Sequence, residues 1–329
     1  MFDFSGTGVY ADAALVTFGI QFTGFAVAAA LQTEVFYDVL GGVNFLVLAG
    51  VSSHSYATGA SNDGDGAATT NATDRKTVFA VLFGISRGWL LVFLAWRAHH
   101  RKGDSRFDGV RDVPSRLFVY WAVQGVWVYC VSLPLLVVAA SGTSGTAAGE
   151  SEHHGERDAS SVAALSGMAL SVLVEIYSDV VKARWVAAGR PGGFCAEGTW
   201  KHSRHPNYAA EIATWVFAAC YAVLESGASP GSVLVASVSP LFTAQILLNT
   251  SGTGVWNAEG KNLERYYEHE NGAVAASYGA YRETTPPLFP LPPAVPYESL
   301  PAGFRRVVCF EWERYEYRPS AKRNDAKSE

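Results

Sequence analysis

Long runs without a charged side chain constrain this chain more than any other feature of its sequence. The clearest run is Leu117 to Ala140, which is uncharged throughout and rich in aromatic residues, and Ala13 to Leu31 is a second one. About 20 consecutive apolar residues are needed for an α-helix to cross the hydrocarbon core of a bilayer. Only helices and closed barrels satisfy every backbone hydrogen bond there. These runs predict an all-α, polytopic integral membrane protein.

Five further apolar runs bring the predicted number of transmembrane helices to seven. They are Tyr37 to Ser53, Thr77 to Trp96, Val162 to Val181, Ala209 to Leu224 and Gly231 to Asn249. No step in the chain calls for a separate soluble domain. We therefore interpret residues 1–318 as a single membrane domain and residues 319–329, which are polar and charged, as a disordered tail.

Composition agrees with a membrane protein and argues against other classes. Only 17% of the residues are charged, whereas soluble domains carry about 25%. The net charge is −5 and no basic domain or stripe is present, so we expect no nucleic-acid partner. The four cysteines have no CxxC spacing, and the sequence therefore indicates neither a zinc site nor a disulfide framework.

The distribution of basic residues between the predicted spans indicates the topology. Lysine and arginine are concentrated in residues 97–116, in residues 182–205 and after residue 256, and they are sparse in residues 54–74, 141–160 and 225–230. Cytoplasmic connections carry the excess of positive charge. Seven spans then predict an N-terminus that is outside or lumenal and a C-terminus in the cytosol.

One polar stretch between two apolar runs is the strongest candidate for a binding site. Lys201, His202, Arg204 and His205 are followed by Pro206, which favours the start of a new helix. Free backbone N–H groups and cationic side chains at a helix N-terminus form an anion site. The anion would be a phosphate or carboxylate of a cofactor or lipid. The alternative is a basic loop that touches lipid headgroups at the membrane surface.

Ionisable residues lie inside several predicted spans, where an isolated charge is costly, and Arg87, Glu175 and Asp179 are the ones farthest from a span's start. Glu175 and Asp179 are four residues apart and therefore share one face of a helix, which must point into the bundle or to the headgroup boundary. A metal pair is the competing interpretation, but further ligands are not evident. For Arg87 we expect a structural pair with Glu175 or Asp179, and the alternative is a contact with cofactor or substrate.

The stretch Ser203-Arg-His-Pro-Asn-Tyr208, with Trp200 before it and Glu211 after it, resembles the signature of the steroid 5α-reductase-like membrane proteins. The greatest resemblance is to the branch called DUF1295, over about residues 34 to 293. Further matching segments are Gly103 to Asp108, Glu175 with Asp179, Ser251-Gly252, and Tyr278 with Tyr281, Thr284 and Pro290. Membrane methyltransferases of the isoprenylcysteine carboxyl methyltransferase type share the central hexapeptide.

The resemblance implies a reductase that uses NADPH to reduce a carbon–carbon double bond in a lipid-soluble substrate, sterol-like or polyprenyl-like. It also implies the endoplasmic reticulum membrane if the source is eukaryotic. Arg204 would pair with a phosphate, Trp200 would stack on a ring, and Asn207 would hydrogen-bond the nicotinamide amide or a ribose. The implied cofactor-binding residues are Asp179, Lys182, Trp200, Arg204, His205, Asn207, Tyr208, Glu211 and Tyr281.

Two other functions stay open at this point. One is a methyltransferase that binds S-adenosylmethionine in the same place, and the other is a non-catalytic lipid-binding membrane protein. The tail pattern from Tyr278 to Pro290 resembles the reductase branch, and the Glu-Glu pair more usual in the methyltransferases does not follow. The proton donor is not assigned, although Asp38 and Tyr120 are candidates by their depth in the spans. We expect membrane lipids as partners.

Overall fold

The computed structural model describes residues 8–62, 67–100, 107–141, 154–250, 253–266, 272–292 and 294–315. These residues form helices joined by short connections, without a β-strand among them. The helices are α1 (Gly8–Leu31), α2 (Tyr37–Asn62), α3 (Ala67–His100), α4 (Pro114–Ala140), α5 (His154–Ala187), α6 (Pro206–Glu225), α7 (Pro230–Asn249), α8 (Gly254–Glu264), α9 (Gly272–Thr284) and α10 (Ala302–Val307). The predicted all-α class is confirmed. The tail at 319–329 lies outside the described residues.

Six helical segments of the described chain are long and apolar enough to cross a membrane. They are Gly8–Leu31, Asp74–Trp96, Pro114–Ala140, Glu156–Ala187, Pro206–Glu225 and Pro230–Glu264. The apolar part of α2, Tyr37–Ser53, is shorter. The protein is therefore a multi-pass membrane protein whose helices contact membrane lipids, and a seventh crossing depends on α2.

Several helices continue beyond the apolar runs that the sequence marks. α2 extends to Asn62, α3 already begins at Ala67, and α3 ends only at His100. Once a helix is nucleated, each further residue adds a hydrogen bond at small entropic cost, so propagation past the apolar run is favourable. The polar connectors at 54–74 and 97–116 are for this reason partly helical.

The described residues separate into two compact units. Unit 1 comprises residues 1–172 and 213–242, and unit 2 comprises residues 173–212 and 243–329. The chain passes between them within α5, α6 and α7. A single membrane domain over residues 1–318 stays a prediction, since each unit has its own core.

Unit 1 has a core of aromatic and aliphatic side chains from α1 to α4 and from the apolar parts of α5 to α7. Fully buried Arg87 lies in this core. Its guanidinium is 4.7 Å from the ring centroid of Trp215 and 5.5 Å from that of Phe45, and it donates to the Ser86 hydroxyl at 2.9 Å. Cation–π contacts stabilise a buried guanidinium by roughly 0.5–2 kcal/mol each. Pairing with Glu175 or Asp179 stays a prediction.

The core of unit 2 forms where the start of α6, the end of α7 and α8 meet the chain after α9. Buried apolar residues there are Ala209, Ile212, Leu248, Val255, Leu288 and Tyr315. Tyr315 also donates its hydroxyl to the carbonyl of Leu248 at 2.8 Å. The segment after α9 is therefore an integral part of unit 2, and it brings the last described residues to the start of α6.

Whether α2 crosses the membrane can be tested by labelling single cysteines from each side of sealed vesicles. We expect Gly8→Cys and Ser160→Cys, which have four helices between them, to be labelled from the outer side, and Ser299→Cys from the cytosolic side. All three positions are exposed or adjacent to exposed residues. Labelling of Gly8→Cys and Ser160→Cys from opposite sides would mean that α2 does not cross.

Candidate functional site

The polar stretch between α5 and α6 is held against α5 by its own side chains. A 3-10 turn, Gly198–Lys201, presents Trp200, whose indole N–H donates to the carbonyl of Ser178 at 3.0 Å. The hydroxyls of Ser178 and Thr199 are 2.8 Å apart. Gly198 has φ +54°, a left-handed backbone conformation that favours glycine. The turn is thereby fixed on α5.

Arg204 forms a buried ion-pair network with two carboxylates. Its side chain is only 2% exposed, with Nη1 3.1 Å from Oε1 of Glu259 and Nη2 2.8 Å from Oε1 of Glu311. Its Nε donates to the carbonyl of Thr285 at 3.0 Å. Burial lowers the pKa of Arg204, but the Glu259 and Glu311 carboxylates outweigh burial and the net shift is upward. The donors expected to meet a phosphate are thus bonded to the protein itself.

His205 is buried and neutral beside this network. Its Nδ1 lies 3.1 Å from the carbonyl of Pro287, and its ring stacks on Tyr208 with centroids 5.4 Å apart. Burial lowers the pKa of His205 to about 4, although Glu259, with Oε1 3.8 Å from Nδ1, acts in the opposite direction. The neutral ring therefore carries its proton on Nδ1 and donates it to Pro287.

The segment that follows α9 runs alongside residues 203–205 and is bonded to them repeatedly. The hydroxyl of Ser203 donates to the carbonyl of Leu288. The backbone N–H of Arg204 donates to the carbonyl of Pro286 at 2.9 Å. Together with the bonds from Arg204 and His205 side chains, these contacts satisfy a stretch of backbone that has no helix or strand to pair with. The start of α6 is therefore rigidly positioned.

Asn207, in the first turn of α6, faces the carboxylates of α5. Its Nδ2 donates to Oδ1 of Asp179 at 3.1 Å. Its Oδ1 is buried and has no hydrogen-bond partner among the residues that the structure describes. An unfilled buried acceptor is costly, by roughly 1–3 kcal/mol, so this atom is a candidate ligand contact.

Asp179 and Asn207 belong to a layer of acidic side chains. Glu175 lies one helical turn before Asp179 on α5, and Glu211 lies one helical turn after Asn207 on α6. Glu175 and Asp179 are buried and Glu211 is half-buried. The three carboxylates and the carboxamide of Asn207 thus occupy two successive helical turns at the Asp179–Asn207 hydrogen bond, and we call these four side chains the acidic layer.

Lys182 and Trp200 lie next to the acidic layer and contact each other. The Lys182 ammonium is 4.3 Å from the ring centroid of Trp200 and 4.6 Å from that of Trp185. Lys182 is three residues after Asp179, on the same side of α5. Trp200, which the resemblance assigns to stacking on a cofactor ring, thus already carries a cation on its face.

Tyrosines of α9 close over the turn. The Tyr281 hydroxyl donates to the carbonyl of Trp200 at 2.5 Å, and the carbonyl of Ser203 lies 3.3 Å from the same hydroxyl. The Tyr278 hydroxyl donates to Oε2 of Glu259 at 3.3 Å. Burial raises the pKa of Tyr278 and of Tyr281, so both stay protonated donors. These tail tyrosines are structural parts of the site as well as candidates for contact with a ligand.

The structure brings all nine sequence-predicted site residues into unit 2. Sequence reasoning missed Glu259 and Glu311, the partners of Arg204. Glu259 had a detectable signal, because Val255 and Leu263, four residues to either side, place it within an apolar stripe of α8. Glu311 had no such signal.

No group of three His, Cys, Asp or Glu side chains within the described part of the chain is placed to hold a metal ion.

These features define an all-helical, multi-pass membrane protein with a buried polar site at the start of α6. The family model described as "Protein of unknown function (DUF1295)" matches residues 24–285. The chain therefore belongs to this family. No curated protein and no solved structure matches it significantly.

Replacement of Arg204 should destabilise unit 2. Arg204→Ala leaves Glu259, whose side chain is 0% exposed, without its main partner, and breaking a buried ion pair costs about 3–5 kcal/mol. Lys201→Ala, three residues away and exposed, is the matched control and should change stability by less than about 0.5 kcal/mol. Thermal unfolding in detergent measures both. Equal midpoints for Arg204→Ala and wild type would contradict the structural role.

The neutral state of His205 predicts a loss of stability in acid. Its pKa is about 4 in the folded protein and near 6.5 in the unfolded chain, so the unfolded chain binds the extra proton first. The contribution of the neutral His205 ring to the free energy of unfolding is fully present above pH 6.5. It is lost as the pH falls toward 4, by about 3 kcal/mol at most. His205→Gln should show a shallower loss in unfolding measured across this range. Parallel curves for the two proteins would argue against a buried neutral ring.

Proposed function

We propose that this protein is an NADPH-dependent membrane reductase that reduces a carbon–carbon double bond in a lipid-soluble substrate, sterol-like or polyprenyl-like. The observation that carries the proposal is the acidic layer, in which Asp179 positions Asn207 and leaves its Oδ1 open. The layer lies at the start of a helix that follows a basic turn. In a eukaryotic cell we would expect the protein in the endoplasmic reticulum membrane.

The residues of unit 2 fit a nicotinamide dinucleotide in a specific way. The open Oδ1 of Asn207 is an acceptor suited to the amide N–H of a nicotinamide carboxamide. Arg204 is bonded to Glu259 and Glu311, so exposed Lys201 and His202 are better placed to meet phosphate groups. Arg204 then acts by fixing the turn that carries them. When bound, NADPH supplies the hydride.

The charge of the acidic layer favours hydride transfer. Glu175, Asp179 and Glu211 bring negative charge close to Asn207, and a nicotinamide ring becomes positively charged as it loses hydride. Fixed charges stabilise a transition state when they oppose the charge that develops in it. Carboxylates at this place would therefore promote the loss of hydride without having to move.

The same charge disfavours methyl transfer. The sulfonium of S-adenosylmethionine is positive before the reaction and neutral after it, so nearby carboxylates stabilise the ground state more than the transition state. Binding of S-adenosylmethionine would gain from the acidic layer, but its reaction would be slowed. The methyltransferase alternative is for this reason the weaker one.

The reduction also needs a proton donor that reaches the substrate. The candidates from the sequence, Asp38 and Tyr120, lie in unit 1 close to Tyr37. Tyr37 donates its hydroxyl to the carbonyl of Tyr120 at 2.9 Å, and Asp38 is its neighbour in the first turn of α2. The ring of Tyr120 packs on Phe107, and that of Tyr37 packs on Trp121. Neither is assigned a catalytic role.

Titration of purified protein with NADPH and with S-adenosylmethionine tests the proposal. We expect NADPH to bind, and Asn207→Leu to weaken it by about 10- to 100-fold, the range for losing one or two hydrogen bonds. Gln245→Leu, an exposed amide of unit 2, is the matched control and should bind as wild type does. Oxidation of NADPH with a panel of enone lipids should then be detectable.

Two outcomes would overturn the proposal. Methyl transfer from labelled S-adenosylmethionine to a prenylcysteine acceptor, without NADPH consumption, would identify a methyltransferase. Binding of neither cofactor by folded wild-type protein would favour a non-catalytic lipid-binding protein. Equal NADPH affinities of wild type and Asn207→Leu would remove Asn207 from the site.

A further inference from the structure

A second buried polar cluster lies in unit 1, on helices that the proposed cofactor site does not use. Three carboxamide side chains, Gln21 of α1, Asn44 of α2 and Gln124 of α4, are at most 4% exposed. Nε2 of Gln21 donates to Oδ1 of Asn44 at 3.0 Å, and Nε2 of Gln124 donates to the carbonyl of Tyr37 at 3.1 Å. Polar side chains inside a membrane bundle are expensive and mark candidate functional sites.

Glycines allow the three carboxamides to approach one another. A Cβ on Gly41 of α2 would lie 2.5 Å from Nε2 of Gln124, and a Cβ on Gly125 of α4 would lie 3.4 Å from Cγ of Gln21. Gly41 is one turn from Asn44, and Gly125 follows Gln124 directly. The three side chains therefore belong to one contact region of α1, α2 and α4, which we call the carboxamide cluster.

The carboxamide cluster has hydrogen-bonding capacity to spare. Oε1 of Gln21, Nδ2 of Asn44 and Oε1 of Gln124 are buried and have no partner within the described part of the chain. If the amide oxygen and nitrogen are exchanged in both Gln21 and Asn44, the pair still has one donor and one acceptor without a partner. Unmade bonds in an apolar surrounding are costly, so a ligand that both donates and accepts would gain free energy here.

An apolar groove lies one helical turn from Gln21 along α1, and the three carboxamides are not among the residues that line it. It lies between α1 and α2, has a volume of about 480 Å³, and is lined among others by Gly19, Val27, Phe36 and Leu40. Gly24, three residues after Gln21, belongs both to this groove and to the buried stripe of α1 that carries Gln21. The groove is large enough for the body of a small lipid.

We propose that Gln21 and Asn44 bind the hydroxyl group of an uncharged lipid alcohol whose apolar body occupies the groove between α1 and α2. A hydroxyl donates to Oε1 of Gln21 and accepts from Nδ2 of Asn44, which fills both open positions. A ketone or a methyl ether only accepts, so it leaves the Gln21 oxygen unfilled. The cluster itself offers only neutral amides, which favours a hydroxyl over a charged headgroup.

Binding of lipids to purified protein in detergent, without any cofactor, tests this inference separately from the reductase proposal. The probes are radiolabelled cholesterol and geranylgeraniol, with the methyl ether of each and the corresponding ketone or aldehyde. We expect saturable binding of at least one alcohol, and about tenfold weaker binding of its methyl ether and its oxidised form. The sterol and isoprenoid probes distinguish the two possible lipid bodies.

Variants separate the cluster from the groove. Gln21→Leu combined with Asn44→Leu replaces both partners by apolar groups of similar size, so folding should be retained while alcohol affinity falls about 10- to 100-fold. At Gly19 a Cβ meets open space, so Gly19→Leu fills the groove and should weaken every lipid of the panel. Ser239→Ala, which removes a buried hydrogen bond to Val131 elsewhere in unit 1, is the control.

Three results would overturn the inference. They are equal affinities of wild type for an alcohol and its methyl ether, unchanged alcohol affinity in the double leucine variant, and no saturable binding of either alcohol. The last result would mean that water alone satisfies the amides. If the double variant does not fold, two measurements still test the inference. They are the affinities of wild type for an alcohol and its methyl ether, and the affinity of the Gly19→Leu variant for the lipids.

Discussion

The ion-pair network of Arg204 is the interaction on which unit 2 depends. The Arg204 guanidinium joins the turn before α6 to Glu259 of α8 and to Glu311 near the end of the described chain. A buried charge is tolerable only when it is paired and hydrogen-bonded, so these three segments must come together or none of them is stable there. The turn at 198–205 and the acidic layer behind it are held in position by this requirement.

Two polar regions therefore have opposite characters. In unit 2 the polar groups are charged and mostly satisfied by one another, with the Oδ1 of Asn207 as an exception. In unit 1 the carboxamide cluster is neutral and incompletely satisfied. Charged groups suit a soluble dinucleotide that arrives from water, whereas neutral amides suit the hydroxyl of a lipid.

The sequence was sufficient for the membrane class, but not for the partners of Arg204. Apolar runs such as Leu117 to Ala140 predict spans because the hydrocarbon core imposes their length. Asp179 and Asn207 were both predicted site residues, and the structure joins them by a hydrogen bond. The pairing of Arg204 with Glu311 spans more than a hundred residues, and no local pattern reports it. The buried counter-charges of Arg204 are distant in sequence, so its ion pairs could not be predicted from the basic turn itself.

The proposed reduction requires the acidic layer to favour the positive charge of an oxidised nicotinamide ring. The most direct test is to measure the dissociation constants of NADP⁺ and NADPH by calorimetry, for wild type and for Glu211→Gln, which keeps the shape of the side chain. We expect wild type to prefer NADP⁺ and this preference to fall severalfold in Glu211→Gln. The same ratio of the two constants in both proteins would contradict it.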